Sequence, residues 1–190
     1  PETLRAYQVF RHKIGTDPGQ NVLVYEEKDE EFGIGISSTK SRDYLVISSE
    51  QTLSSESRLI DSKNPTGEPV VFLTRQPDHE YSLDHVDGRF VVRTNWQAPN
   101  FRLMEVDQPG SALDQWKNLL PHDPNTFLEE FEMLKDWLVV QERFNGLTRI
   151  RFRRWSEADF QTLDFGEPCY SAGLAATRIV ETDKLRYSFS

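Results

Sequence analysis

The run Asp136-Trp137-Leu138-Val139-Val140 returns along the chain, and its recurrence limits the available folds more than any other feature. Near-copies stand at Asp43-Tyr44-Leu45-Val46-Ile47 and Asp87-Gly88-Arg89-Phe90-Val91-Val92, with a fainter one at Asp183-Lys184-Leu185-Arg186-Tyr187. With Tyr44, Phe90, Trp137 and Leu185 taken as equivalent, the spacings are 46, 47 and 48 residues. A fixed period in this range marks a chain of repeated supersecondary units. Each clear run is short, rich in β-branched and aromatic residues, and apolar at successive rather than alternate positions. A strand covered on both faces reads this way.

The intervening segments complete the unit. Residues 32–37, 44–48, 58–61 and 70–73 read as four strands, and so do 81–85, 90–94, 101–106 and 116–120, then 127–134, 137–142, 148–153 and 160–165. A helical turn is expected at 111–115, with Ser111 as its cap. Two strands precede these sets, at 4–12 and 21–25, and two follow, at 170–177 and 185–189. Sheets of four antiparallel strands repeated at this spacing describe propeller blades, whereas a sandwich gives no reason for a fixed repeat. The expected fold is therefore all-β: a partial β-propeller with three complete four-stranded antiparallel blades and a half-blade at each end. The half-blades are residues 1–30 and 170–190, and the blades 31–78, 79–124 and 125–169. Both ends look cut from something longer. Gly33 and Gly35 share one face of their strand and are expected to admit a close neighbour. The acidic run 26–31 reads as a solvated connection.

At 190 residues the chain is long enough for one ordinary domain. No segment approaches the roughly 18 consecutive apolar residues of a membrane helix, and no signal peptide opens the sequence. The single cysteine, Cys169, excludes an internal disulfide and fits a reducing compartment, so a cytoplasmic location is expected. The net charge of −9 argues against a nucleic-acid partner and would favour encounter with basic ligands.

Candidate chemistry is sparse. His79-Glu80 and His85 have the residue types of a zinc motif, which needs its histidines four apart on a helix. Here they lie six apart on an expected strand, about 20 Å from each other, so they are read as hydrogen-bonding groups of an inner strand. No Gly-x-Ser-x-Gly elbow occurs, and Tyr170-Ser171-Ala172-Gly173 is only an echo of one. Cys169 has no activating partner in the sequence and is read as a small buried hydrophobe. Phosphate loops and dinucleotide fingerprints are missing. Nothing in the spacing of Glu129, Glu130 and Glu132 singles out the carboxylate pair a glycosidase would need. Arg149, Arg151, Arg153 and Arg154 read as a charged strand facing solvent or pairing with acidic neighbours. Trp96, Trp116, Trp137 and Trp155 read as core or inter-blade packing. No catalytic, cofactor-binding or metal residue is assigned.

Four segments carry a resemblance: Gly15-Thr16-Asp17-Pro18, residues 22–29 (VLVYEEKD), residues 78–85 (DHEYSLDH) and residues 136–143 (DWLVVQER). They resemble the propeller of the oligopeptidase B group in the prolyl oligopeptidase family of serine peptidases, and the likeness runs from Val9 to Arg153. The resemblance implies a seven-bladed propeller covering an α/β-hydrolase domain that holds a Ser-Asp-His triad and cleaves short peptides after arginine or lysine. It makes this chain a middle portion of the propeller, with no triad residue and no substrate-selecting residue to carry over. The implied partners are short basic peptides, the missing blades and the hydrolase domain. A ring of blades would present inner strands 32–37, 81–85, 127–134 and 170–177 to a central channel, and an acidic lining there would attract basic peptides. Unfinished ends predict self-association, or pairing of the two end ribbons into one composite blade. The competing functions are a protein-interaction scaffold, which the absent Gly-His and Trp-Asp signature disfavours, and a propeller with its own catalytic carboxylates.

Overall fold

A computed structural model of the protein describes residues 4–190. Short apolar runs joined by tight polar turns give five antiparallel sheets. The first is a ribbon of β1 (Gln8–Arg11) and β2 (Val22–Glu26). Next come β3 (Gly33–Ser38), β4 (Tyr44–Gln51), β5 (Ser54–Asp61) and β6 (Val70–Leu73), paired in that order. The same plan repeats in β7 (Tyr81–Val86), β8 (Arg89–Thr94), β9 (Arg102–Val106) and β10 (Lys117–Leu120). It repeats again in β11 (Thr126–Met133), β12 (Trp137–Phe144), β13 (Leu147–Arg154) and the two-residue β14 (Gln161–Thr162). A ribbon of β15 (Ala172–Leu174) and β16 (Tyr187–Phe189) closes the described chain. These are the blades of a partial β-propeller.

Turn chemistry fixes the hairpins. Asp87 and Gly88 have φ of 53° and 75°, and Asn145 and Gly146 of 49° and 82°. Two consecutive left-handed residues make the primed two-residue turn whose twist matches that of the flanking strands. The predicted helical turn is a single 3-10 turn, Leu113–Gln115. Ala112 occupies the cap, its N–H held by the Gln115 side chain at 3.2 Å, while the Ser111 hydroxyl donates to Gln108 instead (2.8 Å). The strands expected at 4–12, 160–165 and 170–177 are shorter than their apolar content suggests, because each lies at a sheet edge or in an end ribbon with little to pair against.

The repeated runs are the second strands of their blades, and consecutive side chains in them feed different cores. On β8, Phe90 and Val92 join Val46, Leu59, Phe72 and Trp116 between the second and third sheets. Val91, between them in sequence, turns the other way to Leu103, Leu128 and Leu138. On β4, Val46 faces the third sheet while Ile47 packs with Val9 and Ile60 toward the first ribbon. Leu185, the fourth equivalent, lies just before β16.

Three readings of the sequence are corrected here. Glu27, in the acidic run, is 4 % exposed rather than solvated, because Arg75 reaches it across the sheet interface at 2.6 Å. The glycines of β3 admit no neighbouring sheet: a side chain at Gly33 would meet open space, and one at Gly35 only the Ser48 hydroxyl. Cys169, expected to be buried, is exposed in the irregular segment after Gly166. No helix among the described residues is long and apolar enough to cross a membrane.

Candidate functional site

The inner strands β3, β7 and β11, with the segment that follows β15, converge on one open cavity of ≈ 550 Å³. Ser37 and Ser38 end β3, Ser82 to Asp84 come from β7, and Glu129 to Glu132 from β11, while Ala176 to Arg178 close the side. Each blade thus gives the innermost strand of its sheet to the same wall, which is the channel surface expected for successive blades of a ring.

The lining is not acidic. Asp84, Glu129, Glu130 and Glu132 are matched by Lys40, Arg42, Arg93 and Arg178, four charges of each sign. The excess negative charge of the chain therefore lies elsewhere, and the expected acidic lining is replaced by one with equal numbers of each sign. Most of these groups are held. The Glu129 carboxylate accepts from Gln141 at 2.8 Å and from the Arg143 guanidinium at 2.7 Å. Arg93 stacks its guanidinium 3.5 Å from the Phe101 ring centroid and donates to the Leu128 carbonyl at 2.8 Å. Burial lowers its pKa, against the pull of Glu80, Glu129 and Glu130. The Asp84 carboxylate accepts from the backbone N–H of Lys40 and of His85, both at 2.7 Å, and burial raises its pKa. The Lys40 ammonium is itself paired with Glu132 two blades along. Burial lowers the ammonium to about 8 against the pull of Asp84.

The residues singled out from sequence fall largely outside this cavity. His79 and His85 are both buried; His79 Nε2 meets the Thr94 hydroxyl and His85 Nδ1 the Ser41 hydroxyl, each at 2.8 Å. Burial lowers the pKa of both imidazoles. Ser41, His85 and Asp43 have the residue types of a nucleophilic triad, but Asp43 approaches at 3.5 Å the same Nδ1 that Ser41 uses. A relay needs the acid on one ring nitrogen and the hydroxyl on the other, so this trio is a turn anchor. Among the described residues no three histidine, cysteine, aspartate or glutamate side chains cluster as a metal site. Arg149 and Arg151 both donate to Glu142, which is 2 % exposed, and Arg153 turns in to the carbonyls of Arg154 and Glu157. Trp116 is core and Trp96 and Trp155 pack against the cores, while Trp137 lies against Phe152 and under the Arg154 guanidinium. Lys40 was not singled out from sequence. Its role depends on a contact 92 residues away in the chain, for which a single sequence carries no signal.

The fold and channel wall can be set beside known proteins. The family model described as "Prolyl oligopeptidase, N-terminal beta-propeller domain" matches residues 1–190. The chain is 37% identical over its whole length to dipeptidyl aminopeptidase BI of Pseudoxanthomonas mexicana, of which it covers 26%. It is 27% identical over 97% of its length to protease 2 of Moraxella lacunata, again covering 26% of that protein. Among solved structures, oligopeptidase B of Trypanosoma brucei with covalently bound antipain superposes with a TM-score of 0.89 at 25% identity. That match covers 98% of this chain and 28% of that one. The chain thus spans about a quarter of the length of these relatives. Blade architecture, a channel wall built from successive inner strands, and a family match over every residue agree: the chain belongs to the prolyl oligopeptidase family, as part of its N-terminal β-propeller domain.

Proposed function

We propose that this chain is the substrate-gating wall of a serine oligopeptidase that cleaves short peptides after arginine or lysine. On this reading the Ser-Asp-His triad lies in a hydrolase domain outside residues 1–190, and the chain has no catalytic residue of its own. The observation that supports it most is the cavity at which successive inner strands meet, in a chain of this family. A ring of rigid blades narrower than a folded domain admits only extended or small peptides. Cleavage after a basic residue is supported by the likeness to oligopeptidase B. The single cysteine supports a cytoplasmic location. Produced alone, the chain associates with itself through its unfinished end ribbons.

A second reading comes from the 37% identity to a dipeptidyl aminopeptidase: dipeptides would be released from free amino ends. One assay separates the two. The full-length protein is given an arginine-containing peptide with either an acylated or a free amino end. Cleavage of both after arginine supports the oligopeptidase. Stepwise dipeptide release from the free peptide alone supports the second reading. Hydrolysis of neither would overturn both and leave the interaction scaffold. Residues 1–190 alone should show no turnover of an arginine peptide ester above background, since nucleophile and oxyanion hole are supplied elsewhere.

A further inference from the structure

Lys40 sits in the connection between β3 and β4, which runs over residues 39–43. The equivalent connections in the next two blades are shorter, covering 87–88 and 134–136. The extra length lets the loop lean over its neighbour. Its backbone is clamped there, Lys40 N–H on the Asp84 carboxylate at 2.7 Å and Ser41 N–H on the His85 carbonyl at 2.9 Å. From that anchor the ammonium reaches Glu132 on β11, in the blade beyond. Both side chains line the cavity, yet they are only 8 % and 15 % exposed. In a ring, a link between a blade and the next but one is a chord, and a chord cuts across the lumen.

We propose that the Lys40–Glu132 pair is a charge-selective bar across the channel mouth, opened by exchange of partners. A lysine or arginine of a passing peptide takes the place of Lys40 on the Glu132 and Asp84 carboxylates, so neither carboxylate is left alone. A neutral or acidic side chain must part a largely buried ion pair without replacing it, and uncompensated buried charge is costly. The bar would give the channel a preference for basic peptides although its lining carries equal numbers of each charge. It rests on the gating role proposed above.

The test uses the full-length protein and two peptides that share one cleaved bond but carry lysine or glutamine at a position remote from it. At low salt the wild type should favour the lysine peptide in kcat/KM by roughly three- to tenfold, the scale of one ion pair. Lys40→Met removes the displaced group and leaves both carboxylates, so it should raise the glutamine peptide while the lysine preference stays at or above its wild-type value. The double variant Lys40→Met/Glu132→Met removes both charges, guards against a folding failure, and should lose most of the preference, because the Glu132 carboxylate that receives the peptide lysine is gone. An unchanged ratio in the folded double variant, or no rise for the glutamine peptide in folded Lys40→Met, overturns the bar. If the wild type cleaves neither peptide, the peptidase reading falls, and the bar is read from fluorescence anisotropy with the labelled peptides. A lysine preference kept in Lys40→Met and lost in the double variant supports it there, and equal affinities for the two peptides in wild type overturn it.

Discussion

The Tyr81 hydroxyl accepts from the Ser57 N–H at 2.7 Å and donates to the Leu73 carbonyl at 3.0 Å, so one buried oxygen completes two strands of the preceding blade. Burial pushes this phenol up to about 12. Tyr81→Phe strands both peptide groups and should cost about 1–3 kcal/mol, read as a lower urea midpoint at unchanged slope. Acid sensitivity is also decided by single residues. For Glu27, burial works to raise the pKa, but hydrogen bonds from Arg75, Tyr25 and the Asp29 amide outweigh it and hold the group at about 2 against an ordinary 4.5. A lowered folded pKa gives stability that is complete above the unfolded value and lost as pH falls through the folded one. His79 and His85, lowered from 6.5 by burial, act in the same sense at higher pH. Asp84, raised from 3.8 by burial, works the other way as pH falls toward that value. The thermal midpoint should therefore start to fall below pH 6.5 and fall again between 4.5 and 2. Replacing both histidines by glutamine should flatten the first limb and leave the second. A first limb that survives the double replacement would refute its assignment to these imidazoles.

At the scale of the element, β12 shows why one strand matters to two interfaces. Leu138 and Val140 are both fully buried against the third sheet, while Val139 lines an apolar groove of ≈ 280 Å³ toward the last ribbon. Leu138→Ala should cost about 2–5 kcal/mol. Val139→Ala should cost about 1.5 kcal/mol or less, since its side is covered only by a two-stranded ribbon. Equilibrium unfolding of the two variants checks the order. Such strands are the part of the fold most legible in the sequence, because burial on both faces writes itself as apolar residues at consecutive positions. Edge strands such as β14 are less so: Phe160 and Phe165 suggested a longer strand, but their pairing depends on a partner that single-sequence patterning does not describe. The channel was legible as a set of inner strands and not as a charge pattern. Whether Glu27 lies in water or against Arg75, and whether Lys40 lies free or against Glu132, depends on neighbours 48 and 92 residues away.

For the whole molecule the two end ribbons decide how copies of the chain meet. The ribbons β1–β2 and β15–β16 are separate sheets, so the composite blade within one chain is not formed among the described residues. Phe10, Leu23, Tyr187 and Phe189 are each 43–52 % exposed on them. The first ribbon precedes an inner strand and so stands as the outer half of a blade, and the last stands as an inner half. Two copies placed head to tail would complete four-stranded sheets. Light scattering on residues 1–190 should show mass rising with concentration, and a persistent monomer would count against this. A final consequence belongs to the lysine that bridges over its neighbouring blade. Repeat arrays hold together by nearest-neighbour coupling, so each interface should open on its own. A second-neighbour tie from the second sheet to the fourth should bind two interfaces into one cooperative unit. Amides on both sides of the middle blade should then exchange with solvent at a common rate in the wild type, and at two different rates once Lys40 is gone.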